Sequence, residues 1–473
     1  MSPNPKAHSQ QPLRPCHVLI AGSGIAGLTL ALMLETHGIA YTLLEAYPEL
    51  VPKVGAGICL LPNGLRNLDQ LGCYDDLRSR VGENNLLESI YVRDPQGKEL
   101  HYSEGWIESM RARYGYSAVW SDRSTILQTL YDHIVDKSRL LANKRVASVR
   151  HLEDGVEVTT ADGSVYTGDI LVGADGVHSR VREEIVRYAN DLGVGEEYAD
   201  GEEASAEYAC LFGLSTSPPP GKQLPHGVLG WNLGYGHSYV IGTGPENRVY
   251  WLLSKRFEKP YKGSEIPRFT DEDRDRILRE HWDDPITEEL RLSDLYESRL
   301  HLVVSPLKEI VYRRWDCGRM VVLGDAGHKM LPIIAQGGNQ AIETVAAFTN
   351  GLFSALTSSS SSSQSSTSRL SQEEITSIFT TLQSSRADRI STVVTMGHQR
   401  QNMDTMSSPE MEELMLKKFP TLLPGELLRR WDQTFPASVS LAGLERPFRE
   451  KEVLFDDEKP ENESGEHAAV AKI

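Results

Sequence analysis

The chain has 473 residues, 40% apolar and 24% charged, fractions that fit a folded globular protein and exclude disorder throughout. At about 150 residues per domain this length allows two or three domains around a sizeable core. The 49 Lys and Arg against 66 Asp and Glu leave a net charge of −17, which argues against nucleic acid or an anionic membrane surface as the main partner. Five cysteines (Cys16, Cys59, Cys73, Cys210 and Cys317) are widely spaced with no CxxC. That excludes a disulfide scaffold, a cysteine zinc centre and a dithiol redox centre, and it fits a reducing compartment.

Residues 1–14 are proline-rich and polar and predict a disordered N-terminus. Residues 18–34 carry no charge and could pass for a signal anchor, yet Gly22, Gly24 and Gly27 interrupt them and no dense basic cluster precedes them. A strand at 18–21, a glycine turn and a helix at 25–37 account for the stretch, with Ile25, Leu28, Leu32 and Met33 at helical spacing and Gly38 as the stop. A second buried-type strand, 41–44, ends at Glu45, and helical spacing returns at Leu65, Leu68 and Leu71. Residues 145–172 predict a meander, with period-two alternation through Val156 and Val158 and a turn at Asp162-Gly163. Residues 205–315 mix short strands with turn-rich sequence such as Pro218-Pro219-Pro220 and predict a separate sheet domain. A strand at 320–323 and a long apolar helix at 338–356 follow. The serine tract 358–368 cannot form a core, so 358–371 reads as a loop between two helices. Residues 372–455 predict helices, and the acidic tail 456–473 is expected to be disordered. No stretch offers the roughly 20 apolar residues of a membrane span. The expectation is a cytoplasmic protein without a stable membrane anchor.

Three motifs carry chemistry. Gly22-Ser23-Gly24-Ile25-Ala26-Gly27 lies between strand and helix. There the first glycine makes the turn, the second admits a pyrophosphate, and the third lets helix and strand pack closely. Glu45, about 20 residues on, ends the second strand, where a carboxylate accepts hydrogen bonds from a ribose. The bland alternative is a glycine turn in an unrelated α/β domain, with Glu45 a solvated strand end. Gly173-Ala174-Asp175-Gly176 follows a strand, and so does Gly324-Asp325-Ala326-Gly327-His328, with Gln336-Gly337-Gly338-Asn339 beyond it. An aspartate at a strand end can bond a ribityl hydroxyl. A glycine-rich helix start points N–H groups and the positive dipole end at an anionic ring such as reduced flavin. Either motif alone is an ordinary turn with a solvated aspartate. His328 has no second histidine or carboxylate at ligand spacing after it, so no metal site is expected.

In this order and at these separations the three motifs resemble the FAD-dependent monooxygenases of the p-hydroxybenzoate hydroxylase fold, over about residues 16–356. Val54-Gly55-Ala56-Gly57-Ile58, Leu61-Pro62-Asn63-Gly64, Asp122-Arg123-Ser124 and the runs 324–330 and 336–343 resemble the fungal branch that acts on prenylated or terpenoid secondary metabolites, the paxilline-type epoxidases and meroterpenoid monooxygenases. The resemblance implies an α/β (α+β composite) architecture. A Rossmann-like FAD-binding domain is built from 15–204 and 316–357, interleaved with a β-sheet substrate domain at 205–315 and followed by C-terminal helices. It implies FAD held by Gly22, Gly24, Gly27, Glu45 (adenosine ribose), Gly57 (flavin side), Arg123 (ribityl–phosphate portion), Asp175, Asp325 and Gly338 (ribityl chain and ring end). Members of the branch often place a tyrosine near the reacting substrate. Tyr235 is the expected catalytic residue, with Tyr239 as the alternative.

No second GxGxxG follows a strand, so NADPH is expected to bind transiently rather than in a domain of its own. The resemblance implies transfer of one oxygen atom from O2 to a small apolar, prenylated substrate, most often as epoxidation of an alkene. Two other readings stay open. An aromatic-ring or indole hydroxylase of the same fold, if it took a small phenolic acid, would need a basic residue in the middle domain, where residues 208–254 offer Lys222 and Arg248 alone. A flavin-dependent prenyl reductase would consume NADPH without incorporating oxygen. Related chains often carry C-terminal hydrophobic helices that this sequence does not show, so firm membrane attachment is not expected, although a greasy substrate can draw the enzyme to membrane surfaces.

Overall fold

The computed structural model describes residues 13–53, 56–358 and 368–460. Val54 and Gly55, most of the predicted N-terminal segment, the serine tract and most of the acidic tail lie outside the described residues.

A six-stranded sheet forms the first layer, in the order Asp316–Cys317, Met320–Val322, Ile170–Gly173, His17–Ala21, Ala40–Leu44, Leu140–Leu141. From Met320–Val322 to Leu140–Leu141 its strands pair in parallel, and only Asp316–Cys317 runs antiparallel to its neighbour. Alternation along His17–Ala21 sends Val18 and Ile20 to one face and Leu19 and Ala21 to the other. On the first face pack helices Ile25–Thr36, Arg123–His133 and Gln336–Thr357. On the second lie the antiparallel meander Val146–Leu152, Gly155–Thr160, Val165–Gly168 and the helix Arg180–Asp191. Both faces are covered, which is why the parallel strands read as unbroken apolar runs.

The second layer is an eight-stranded sheet ordered His328–Lys329, Arg299–Val311, Ser205–Ser215, Arg248–Lys262, His237–Gly244, Val228–Asn232, Ser89–Arg93, Glu99–Ser103. This departs from a sheet confined to residues 205–315. Ser89–Arg93 joins in parallel with Val228–Asn232, Glu99–Ser103 forms one edge, and His328–Lys329 closes the other. Period-two patterning identifies a strand but carries no information about a partner more than a hundred residues away. One face of this sheet packs on Asp271–Glu280 and Leu292–Glu297 through Leu211, Tyr239, Trp251 and Leu253. The other, through Leu229, Val240 and Leu252, faces the C-terminal region.

Helix Gln372–Asp404 packs along Gln336–Thr357. Between them lies a buried ion cluster. Arg386 Nη1 and Arg389 Nε donate to Glu343 Oε2, each at 2.8 Å, and Asn63 Nδ2 donates to Oε1 at 2.6 Å. Arg386 and Glu343 are fully buried.

The disorder expected for 1–14 and 456–473 falls mostly on residues outside those described, while Arg14 and residues 456–458, which are described, are held by partners. Arg14 pairs with Glu374 at 2.6 Å. Asp456–Glu458 forms a short 3-10 turn, Asp457 accepts from Arg66 at 2.8 Å, and Phe455 is buried under the Arg66 guanidinium. Composition alone gives no sign of these contacts because the partners, Glu374 and Arg66, are remote in the chain. Among the described residues, no helix is long and apolar enough to cross a membrane.

Candidate active site

A cavity of about 1580 Å³ runs from the C-terminal ends of the parallel strands to the open face of the eight-stranded sheet. Gly22, Gly24, Glu45, Gly57, Arg123, Asp175, Asp325 and Gly338 all line it.

At one end the glycine turn is shaped by lack of space. Gly22 has φ +99°, and a Cβ there would stand 2.6 Å from the Ala174 carbonyl oxygen. Gly27, one turn into the helix, would place a Cβ 1.9 Å from the Gly22 oxygen. It does not line the cavity, but it lets the helix close on the turn. Helix Ile25–Thr36 has no side-chain cap and no acidic residue in its first turn, so its N–H groups and positive dipole end face the cavity uncompensated. Glu45 is buried and shapes the adjoining wall, accepting from Ser23 N–H at 2.6 Å and Tyr47 N–H at 2.9 Å.

Arg123 approaches the same helix end: its Nη2 lies 3.6 Å from where a Gly24 Cβ would be. Among the described residues its guanidinium has no hydrogen-bond or ion-pair partner. Burial lowers its pKa, and the nearby Glu45 and Asp325 charges oppose that shift. Asp122, the neighbour that could have neutralised it, is taken by Arg248 at 2.7 Å. A cation with no direct ion pair beside an uncapped helix N-terminus fits the phosphates of a dinucleotide.

Asp175 and Asp325 both end strands but differ in use. Asp175 accepts from Ser179 Oγ at 2.5 Å and from the backbone N–H of Arg180 at 2.8 Å, so it caps the helix Arg180–Asp191. Burial raises its pKa, and these bonds act in the opposite direction. Asp325 pairs with Lys329 and stays open to the cavity. Helix Gln336–Thr357 begins at Ala335, which sits in the left-handed region (φ +55°), and presents Gly337 and Gly338 to the cavity. Asn339 locks this helix end to the opposite wall by accepting from Leu61 N–H at 2.9 Å and donating to the Cys59 carbonyl at 3.0 Å. Gly57 adjoins it, where a Cβ would meet the Tyr250 ring at 2.7 Å.

The profile of the family described as FAD binding domain matches residues 15–370. The FAD-dependent monooxygenase dpchE of Colletotrichum higginsianum is 38% identical over 344 residues, 72% of this chain and 72% of that protein. The chain belongs to the FAD-dependent monooxygenases. It is also 36% identical to the FAD-dependent monooxygenase cle3 of Aspergillus versicolor, over 82% of this chain and 77% of that one. Klebsiella pneumoniae HpxO, solved with FAD and uric acid, shares the fold with a TM-score of 0.68 at 21% identity, covering 89% of this chain and 97% of its own. The fold is of the p-hydroxybenzoate hydroxylase type, and the wall just described fits the FAD that this monooxygenase family binds.

The expected catalytic tyrosine is not at the site. Tyr235 is 59% exposed, sits in the turn before strand His237–Gly244, and donates to Glu412 at 2.9 Å. Tyr239 is buried but faces away from the cavity and donates to Asp284 at 2.7 Å. Alternation in the strand gives the cavity Val240 instead. His328 is buried off the cavity, within hydrogen-bond distance of Thr344 at 3.2 Å.

The residues lining the far half of the cavity belong to none of the three motifs. Trp106, Trp120, Phe212 and Trp231 come from the sheet side, and Met396, Arg400, Met403, Phe419 and Trp431 from beyond residue 370, outside the matched profile. Met396, Arg400 and Met403 stand at i, i+4 and i+7 on one helix, a spacing that marks a shared face in the sequence itself.

Proposed function

We propose that this monooxygenase uses NADPH and O2 to insert one oxygen atom into an apolar, prenylated or terpenoid secondary metabolite, most often as an epoxide on an alkene. Substrate, O2, NADPH and a proton give oxygenated product, NADP+ and water. The observation that carries the reading is the far half of the cavity. The whole cavity, at about 1580 Å³, exceeds the roughly 300–1,000 Å³ typical of a single small-ligand pocket, and the walls of its far half are largely aromatic and aliphatic. That leaves room for a cofactor and a greasy substrate side by side.

FAD, once reduced, supplies the electrons that activate dioxygen. The chain's own part is to bind, orient and exclude water. The Gly22–Gly27 turn, the helix end behind it and Arg123 would hold the pyrophosphate and ribityl–phosphate portion, Glu45 the adenosine ribose, and Asp325 the ribityl side, while Asp175 lines the same wall as the cap of helix Arg180–Asp191. The N–H groups at Gly337 and Gly338 would face the ring end, with Gly57 against the flavin side. The apolar walls keep water from the reacting carbon. His178, Arg268 and Lys308 gather on the cavity rim. Burial, then Lys308 and Arg268, lower the His178 pKa, and this local positive field supports a phosphorylated nicotinamide reductant that docks transiently. A cytoplasmic location is supported by five buried, unpaired cysteines.

The small phenolic acid alternative loses the middle-domain anchor expected for it. Lys222 is bound to Asp294 at 2.8 Å and Arg248 to Asp122, and neither lines the cavity. Turnover of a panel of prenylated aromatics and indoles with NADPH under 18O2, read by mass spectrometry, tests the proposal. Gain of one 18O atom supports it. NADPH consumption giving a product two hydrogens heavier and free of 18O would replace it with the reductase reading.

A further inference from the structure

The substrate half of the cavity is apolar except on the C-terminal side, where Arg400 enters its wall. The guanidinium is held on three sides. Its Nε donates to Asp404 Oδ1 at 2.8 Å, the Trp231 ring centroid lies 5.0 Å from its central carbon, and the Phe419 centroid lies 5.4 Å away. This fixes the plane of the fork without filling it. Among the described residues, Nη2 is buried with no hydrogen-bond partner, and Nη1 makes no hydrogen bond while the side chain keeps 20% of its surface. Asp404 is fully buried, and its Oδ2 is likewise unpartnered. A second guanidinium, Arg430, lines the same wall 5.9 Å from the Phe419 ring, and it has no ion-pair partner among the described residues.

Keeping a charged fork in an apolar wall costs free energy unless something satisfies it. Asp404 occupies only the Nε edge, so the remaining donors match an acceptor oxygen that arrives with a ligand, and a guanidinium binds an oxyanion best. We propose that Arg400 is a specificity-determining residue that grips an acidic oxygen, a carboxylate or an ionised phenol or enol, on an otherwise apolar substrate and so sets its orientation in the chamber. The proposal rests on the apolar-chamber reading above. It also shows why the anchor was invisible in residues 208–254: the cation comes from helix Gln372–Asp404.

The test uses FAD-loaded enzyme and two probes, 4-geranyloxybenzoate and its methyl ester, titrated while the flavin absorbance is recorded. A hydrogen bond to a charged group is worth roughly 1.5–3 kcal/mol, so wild type should bind the acid about 10- to 150-fold more tightly than the ester. Arg400→Met should abolish that preference and leave ester affinity unchanged, and Arg400→Lys should retain part of it. Arg400→Met with Asp404→Asn, which leaves no unpaired buried carboxylate, should behave like Arg400→Met and guards against misfolding. Equal wild-type affinities for acid and ester, or an equal loss of both probes in the variants at full FAD content, would overturn the role of Arg400 alone. Failure of both probes to perturb wild-type flavin would overturn the chamber reading and this inference with it.

Discussion

Replacing Arg123 with Met separates a residue that holds the cofactor from one that holds the fold. The guanidinium lies beside the uncapped N-terminus of helix Ile25–Thr36, with Nη2 3.6 Å from the Gly24 Cβ position and no hydrogen-bond or ion-pair partner among the described residues. The facing helix end and burial both work against the guanidinium charge, and the nearby Glu45 and Asp325 carboxylates offset part of that cost. Removing the charge should therefore leave the apoprotein as stable as before or up to about 1 kcal/mol more stable. With FAD the sign reverses, because the lost bonds are charge-assisted and worth roughly 1.5–3 kcal/mol, about 10- to 150-fold in affinity. Urea unfolding of apoprotein and quenching of FAD fluorescence on titration measure the two halves. An Arg123→Met protein that binds FAD as wild type does, or whose apoprotein is destabilised by several kcal/mol, would refute the reasoning.

Two further predictions concern packing and pH. Glu343→Gln leaves the fully buried Arg386 and its neighbour Arg389 facing a neutral amide. Breaking a buried pair this way costs about 3–5 kcal/mol, so urea unfolding should show a large loss that Glu343→Gln with Arg386→Met largely restores; a loss below about 1 kcal/mol would count against the cluster's structural role. His328 is fully buried, and burial first, then the Arg386 charge, bring its pKa down to about 4 from 6.5. The folded pKa lies below the unfolded one, so the unfolded chain takes up the proton first as pH falls. This stabilisation is complete above about pH 6.5, shrinks as pH drops towards about 4, and amounts to roughly 3 kcal/mol in all. His328→Gln should flatten that part of the stability–pH curve, and an unchanged slope between those values would disprove the assignment.

The sequence alone determined the parts of this protein whose geometry is local. The strand, glycine turn, helix and Glu45 at the next strand end occupy fewer than thirty consecutive residues, and Gly22 and Gly27 are required by close backbone contacts, to Ala174 beside that unit and to Gly22 within it. The Asp325 turn and the glycine pair opening Gln336–Thr357 are equally local, so residue order and spacing suffice to assign both. What only the tertiary structure decided depends on register and on partners far along the chain. One residue of register separates Val240, which lines the cavity, from Tyr239, which points away from it. Lys222 and Arg248 look available in the sequence, but folding brings Asp294 and Asp122 to them. Arg400 is part of the cavity wall only because helix Gln372–Asp404 packs along Gln336–Thr357 and carries its far end over the open face of the sheet. Local periodicity specifies which face of an element is apolar, whereas the identity of the surface it meets is set by long-range packing that no short window of sequence contains.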